Sequence, residues 1–197
     1  MAKKALLMVD VQNDFCPGGA LAVINGDKVV GPLNAMLMLA DERNWLVVAS
    51  RDWHPAVTTH FKNYGGIWPT HCVQNTPGAA FHRNLAVVAY KDIIISKATQ
   101  PDEDGYSAFE GKTKDGKNLA DVLKEYKIDE IYIGGLATDY CVKASALDAV
   151  KNSFKTFLLL DACQAVNIQP DDGDQALETM KNAGVIITTT QEVFNAR

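Results

Sequence analysis

The sequence predicts an α/β fold: an open, mostly parallel six-stranded sheet with helices on both faces, a Rossmann-like three-layer sandwich. Two observations lead to it. Short apolar runs alternate with stretches of helical spacing along the whole chain. Those runs are apolar at successive positions instead of every second one, as expected of strands covered on both faces. A third observation sets the scale. With 197 residues, 47% apolar and 22% charged, the chain is long enough for one domain to bury a core without disulfide or metal staples.

The elements follow in order. "ALLMVDV" (5–11) is the first strand. Residues 27–43, "DKVVGPLNAMLMLADER", have helical apolar spacing, interrupted early by Gly31 and Pro32. "WLVVAS" (45–50) is the second strand. Residues 52–91 are irregular and rich in Gly, Pro, His and Trp. A loop of that length inside a compact domain is usually functional. "IIIS" (93–96) is the third strand, "NLADVLKEYK" (118–127) an amphipathic helix and "EIYIGG" (130–135) the fourth strand. Residues 138–152 form a helix with Thr138 at its N-cap. "KTFLLLDA" (155–162) is the fifth strand, and a helix over 171–184 is closed by Gly184. "VIITTT" (185–190) is the sixth strand. No internal repeat or linker divides the chain, so a single domain is expected.

Composition excludes some functions. A net charge of −5 without a Lys/Arg cluster speaks against nucleic acid and anionic membranes as partners. Only five apolar residues lie between Lys4 and Asp10, too few for a secretory segment, and no run reaches the length of a membrane span. The four cysteines are dispersed, without a CxxC. Reduced thiols in a cytoplasm are the expectation.

In an open α/β sheet, ligands bind at the carboxyl ends of the strands. The first strand runs into Asp10. The second is followed by Asp52 and His54, the third by Lys97, and the fourth by "GGLATDYC" with Cys141 at a helix start. Each residue has an ordinary explanation: a turn cap, loop histidines, a solvent-reaching lysine, a buried cysteine. Their coincidence at four strand ends is what points to a site. A helix N-terminus favours a thiolate and offers amides to an oxyanion, although Cys16 and Cys72 also lie in candidate loops. A lysine beside a thiolate and a carboxylate stabilises both anions. Asp52 and His54 share one side of an extended segment, and His71 follows in "WPTHCVQ". Two histidines and a carboxylate suit zinc, iron or manganese. His60 is open between ligand, supporting residue and surface histidine; His82 is read as an ordinary loop histidine.

The segments "LLMVDVQNDFCPGGAL", "SRDWHP", "WPTHCVQNTPGAAF", "SKATQPDEDGYSAF", "IGGLATDYCVKASALDA" and "DACQAVN" resemble, in order and over nearly the whole chain, those of the bacterial nicotinamidases (pyrazinamidases). These belong to the isochorismatase-like cysteine hydrolase superfamily. The resemblance implies a cytoplasmic enzyme of NAD salvage. It would hydrolyse nicotinamide, and pyrazinamide, through a cysteine thioester. It implies Asp10, Lys97 and Cys141 as catalytic triad, and Asp52, His54 and His71 as ligands of one divalent metal, zinc before iron or manganese. His60 matches the fourth histidine of some members. The resemblance further implies an oxyanion hole from the amides of Ala137 and Cys141, a cis peptide before Ala137, and a ring pocket of Phe15, Trp68 and Tyr106. A homo-oligomer is compatible with all of this.

Three other readings compete. One is a superfamily amidohydrolase acting on a carbamoyl or ureido compound. Another is an iron oxygenase using Asp52, His54 and His71, which leaves Cys141 and Lys97 without employment. The third is a non-catalytic metal or ligand-binding protein.

Overall fold

The computed structural model describes residues 2–87 and 93–196. Six strands, β1 (Lys4–Val9), β2 (Leu46–Asp52), β3 (Ile93–Lys97), β4 (Glu130–Leu136), β5 (Lys155–Gln164) and β6 (Ile186–Thr188), form one sheet in the order β3-β2-β1-β4-β5-β6. Every pairing is parallel. The helices are α1 (Val30–Glu42), α2 (Leu119–Glu125), α3 (Lys143–Lys151), α4 (Asp172–Asn182) and α5 (Thr190–Asn195).

The apolar strand runs have the expected cause. In β1, Leu6 and Met8 pack into a core with Leu33, Met36 and Leu39 of α1 and Val193 of α5. Ala5, Leu7 and Val9 point the other way, to Leu119 and Leu123 of α2, Ala146 of α3 and Met180 of α4. Successive side chains thus enter two cores, and neither can be polar.

Strand order brings the four chemistry-bearing strand ends side by side. β3, β2, β1 and β4 are consecutive neighbours in the sheet. Asp52 and Lys97 are register partners across β2 and β3. Asp10 lies one residue past β1, at φ 51°, and continues the ladder through its amide to Ser50 O (3.2 Å). Gly135 has φ 132°, and a Cβ there would meet Val9 O at 2.0 Å. Only glycine lets β4 come this close to β1 immediately before the turn that carries Cys141.

The structure corrects two expectations. Thr138 is not the N-cap. The chain turns at Ala137 into one wide π-type turn, Thr138–Val142, and only then into α3. The sixth strand stops at Thr188, and a fifth helix starts at Thr190. The β-branched run "TTT" reads as strand, but Thr189 accepts from the Glu192 amide and Glu192 reaches back to the Thr189 amide. This capping box, spelled T-x-x-E, marks a helix start. The irregular stretch expected over 52–91 contains a short 3₁₀ turn, Lys62–Tyr64, and isolated bridges; its last residues, 88–91, lie outside the described residues. Among those described, no helix is long and apolar enough to cross a membrane.

Candidate active site

Lys97 is the hub. It is 1% exposed, and an ammonium buried this far must be paired. Its Nζ lies 2.8 Å from Asp10 Oδ2, contacts Asp52 Oδ1, donates to Gly105 O at 2.6 Å and reaches Cys141 Sγ at 3.4 Å. Burial alone would push the ammonium down; Asp10 and Asp52 carry it well above the ordinary lysine value. It is a fixed cation.

The two carboxylates differ. Burial raises Asp52 too, but Lys97, then His54 and His71, hold it well below the carboxylate range. In Asp10 burial wins over Lys97, and the pKa is raised. Ser50 donates to Asp10 Oδ1 at 2.7 Å, which leaves Oδ2 for the lysine and thiol. Asp10, Asp52 and Cys141 have their side-chain acceptor atoms within 4.8 Å of one another. Asp10 therefore has the environment of a proton acceptor and Asp52 that of a permanent anion.

Cys141 rests in an environment that favours the neutral thiol. Burial, only partly offset by Lys97, pushes its thiol well above the usual value. The thiol therefore needs a base to take its proton.

The histidines converge beside this cluster. His54 N donates to Cys72 O (3.0 Å) and Gln74 N to His54 O (2.8 Å). This short parallel bridge pins the 71–74 segment next to β2. A ring nitrogen of each of His54, His60 and His71 lies within 4.8 Å of the others. Asp52 Oδ2 is 3.7 Å from His54 Nε2 and 3.8 Å from His71 Nε2. The His71 Nδ1–H donates to Pro69 O at 2.7 Å, which leaves Nε2 as lone-pair donor. Both ring nitrogens of His54 are buried without a hydrogen-bond partner, an arrangement that is costly unless something else binds them. The donor set fits a divalent cation. His60 is 5% exposed, stacked on His54 at 4.7 Å, so the surface alternative falls. Burial lowers its pKa, against the raising effect of Asp104. His82 stands apart and accepts from the Asn84 amide in its own turn.

A pocket lined by Phe15, Leu21, Val23, Trp68, Tyr106, Leu136, Tyr140 and Val166 opens over Cys141, Asp52, His60 and His71. Phe15 and Trp68 are buried. Ala137 lines it too, after a cis Leu136–Ala137 peptide, and its carbonyl accepts from the amides of Tyr140 and Val142 (3.0 and 3.1 Å).

Several contributors escaped the sequence reading. Gln12 is fully buried; its amide group donates to Asp52 O (2.8 Å) and Ala79 O (2.9 Å), and its oxygen accepts from Asp52 N (2.8 Å). Asp14 accepts from Cys72 N at 2.7 Å. Asp139 accepts from Val166 N and Asn167 N (2.9 and 2.8 Å) and so holds the Val166 wall. Tyr140 meets Trp68 edge-on at 5.0 Å. A polar residue three or more places inside a motif gives no sign of which backbone it will clamp; for Tyr140, adjacency to Cys141 was a usable signal.

Comparison with known proteins matches residues 4–192 to the isochorismatase domain. The chain is 40% identical to a nicotinamidase of Escherichia coli (strain K12), covering 96% of both chains. It is 39% identical to a nicotinamidase/pyrazinamidase of Mycobacterium tuberculosis, covering 92% of this chain and 96% of that one. Among solved structures it is similar to the pyrazinamidase of Pyrococcus horikoshii in complex with zinc, with a TM-score of 0.86 and 46% identity over 95% of this chain and 99% of the other.

Proposed function

The chain belongs to the isochorismatase domain family, and from that premise we propose that it is a nicotinamidase, converting nicotinamide, and pyrazinamide, to the carboxylate and ammonia. The proposed setting is NAD salvage in the cytoplasm. One observation carries the chemistry: Cys141 Sγ lies 3.4 Å from a Lys97 ammonium that also pairs with Asp10, on the floor of an aromatic pocket.

The residues act in sequence. Asp10 takes the thiol proton, and the Lys97 ammonium steadies the sulfur anion as it forms. Sγ bonds to the carboxamide carbon, and the amides of Ala137 and Cys141 hold the resulting oxyanion, typically worth about 3–4 kcal/mol per donor. Asp10 returns its proton to the nitrogen as the C–N bond breaks, releasing ammonia. A water gives a proton to Asp10 while its oxygen attacks the thioester carbon; the C–S bond breaks and the sulfur recovers that proton. Every proton passes through Asp10, in keeping with its raised pKa.

His54, His71 and Asp52, with His60 beside them, would hold one divalent ion, zinc before iron or manganese. When bound, that ion supplies a Lewis-acid anchor for the ring nitrogen, directly or through a water. Phe15, Trp68 and Tyr106 hold the ring against Cys141.

The test is ammonia release from nicotinamide by purified protein, with metal analysis of the same sample. Release from a ureido compound and none from nicotinamide would point to another amidohydrolase; no release from any amide would leave a binding protein.

A further inference from the structure

Three consecutive residues tie three parts of the site together. Gly105 O accepts from Lys97 Nζ. The Tyr106 hydroxyl accepts from Trp68 Nε1 at 2.9 Å. Asp104 Oδ1 lies 3.0 Å from His60 Nδ1. Gly105 makes the strap close on its start: at φ 64°, a Cβ there would meet Ala98 N at 2.6 Å.

Asp104 is the unusual member. Its side chain is 72% exposed, whereas that of its partner His60 is 5% exposed. Packing does not explain a carboxylate at that position, so its meaning lies in what it touches. An ionised carboxylate only accepts hydrogen bonds, so Nδ1 of His60 carries the proton and Nε2 keeps its lone pair. The ring already stacks on His54, with a nitrogen within 4.8 Å of those of His54 and His71. We propose that Asp104 is a positioning residue for His60, fixing its tautomer and ring orientation and so raising the affinity of the histidine cluster for a divalent cation. The proposal rests on the metal reading above. A partner of this kind typically changes metal affinity by about 10–100-fold. The Asp104 carboxylate is water-exposed, so about tenfold is expected.

The experiment titrates zinc into metal-stripped protein against a chromophoric chelator. Asp104→Ala should weaken zinc binding about tenfold. His60→Ala should weaken it at least as much, and the double variant no more than His60→Ala. Asp102→Asn, which removes a neighbouring exposed charge, should leave affinity unchanged. An Asp104→Ala affinity within twofold of the parent overturns the proposal. So does a full tenfold loss when Asp104→Ala is added to His60→Ala, or an equal loss in Asp102→Asn, since either would make Asp104 a simple surface charge. A parent protein that takes up no zinc removes the metal reading together with this one. Nicotinamide hydrolysis on the same samples shows separately whether the hydrolase reading stands.

Discussion

The indole N–H of Trp68 donates to the hydroxyl of Tyr106 at 2.9 Å, and Tyr140 closes the group with its ring edge-on to Trp68. The bond joins two segments that touch different parts of the site, and so ties two walls of the ring pocket together. Tyr106→Phe removes that acceptor and leaves the Trp68 N–H without it. A net loss of about 1 kcal/mol should appear as a roughly fivefold rise in KM for nicotinamide, with kcat changed less. Steady-state kinetics check this; a fall in kcat at constant KM would move Tyr106 out of the ring pocket and into the chemistry.

Cys141→Ala should abolish hydrolysis while fold and metal content persist. Burial pushes the Cys16 thiol up to about 11 and that of Cys163 to about 12; the Cys141 thiol is raised as well, but it has the Lys97 ammonium at 3.4 Å and Asp10 beside it to take its proton. Cys16→Ala and Cys163→Ala should keep the activity. Ammonia release and mass analysis of a trapped thioester are the readouts, and substantial turnover by Cys141→Ala would exclude it as the nucleophile.

His54→Ala and His71→Ala should each lose bound metal and bind nicotinamide weakly. The same logic makes benzamide a poor substrate: it offers Cys141 the same amide but lacks the ring nitrogen. Sites built around a buried polar contact reject analogues lacking it by up to ~10⁴–10⁵, and a partly wet ion should give at least ~100-fold in kcat/KM. Chelation should then hurt nicotinamide far more than benzamide. Equal rates for the two amides in the metal-loaded enzyme would deny the cation that role.

Gln12→Ala should be costly despite touching no substrate. It strands the amide N–H and carbonyl of Asp52 and the carbonyl of Ala79 in a buried place. Each unsatisfied group costs about 1–3 kcal/mol. Thermal unfolding should fall by several degrees or more, and residual folded protein should show weakened metal binding, because Asp52 loses its backbone clamp. A variant with unchanged melting and zinc affinity would refute the clamp.

The acid side of the stability profile should carry a contribution from Glu130. Burial raises its carboxyl, but Lys155 (3.0 Å) and Lys4 (3.2 Å) hold the folded-state pKa below the ordinary value. A depressed folded pKa gives stability that is present above the unfolded value of about 4.3 and lost as pH falls through the folded one. Glu130→Gln should be less stable at pH 7, by under ~1 kcal/mol for so accessible a pair, and the difference should vanish on acidification. Denaturant melts at pH 7 and pH 3 decide; a difference that grows toward acid reverses the sign and rejects the pairing.

The parallel sheet was legible because β1 and its neighbours are apolar on both faces, and a residue that must fill two cores has little freedom. The cluster was legible for a related reason. Asp10 and Lys97 come at the ends of strands too apolar to carry a charge by accident, and their coincidence with Cys141 past a neighbouring strand end pointed to one site. That Asp52 and Lys97 are register partners was not legible, since pairing register depends on the whole sheet. The Asp52 carboxylate therefore serves the lysine as well as the histidines, which spacing alone could not reveal. The clamps made by Gln12, Ser50, Asp14 and Asp139 depend on three-dimensional neighbours, and their side chains look ordinary in sequence. The fifth helix could have been read from the T-x-x-E at Thr189, had the capping box been weighed above the β-branched run.

The order β3-β2-β1-β4 also has a consequence for biogenesis. β1 is made first, yet one of its edges waits for β4, with Lys4 paired to Glu130. Until the ribosome has delivered that strand, β1 carries an open hydrogen-bonding edge and Asp10 and Lys97 have no thiol beside them. Pairings between such distant segments form slowly and leave aggregation-prone edges exposed meanwhile. Chains truncated before Gly135 should therefore fail as a group, insoluble as well as inactive, and the burden on cellular chaperones should fall on the interval between synthesis of the second strand and arrival of the fourth.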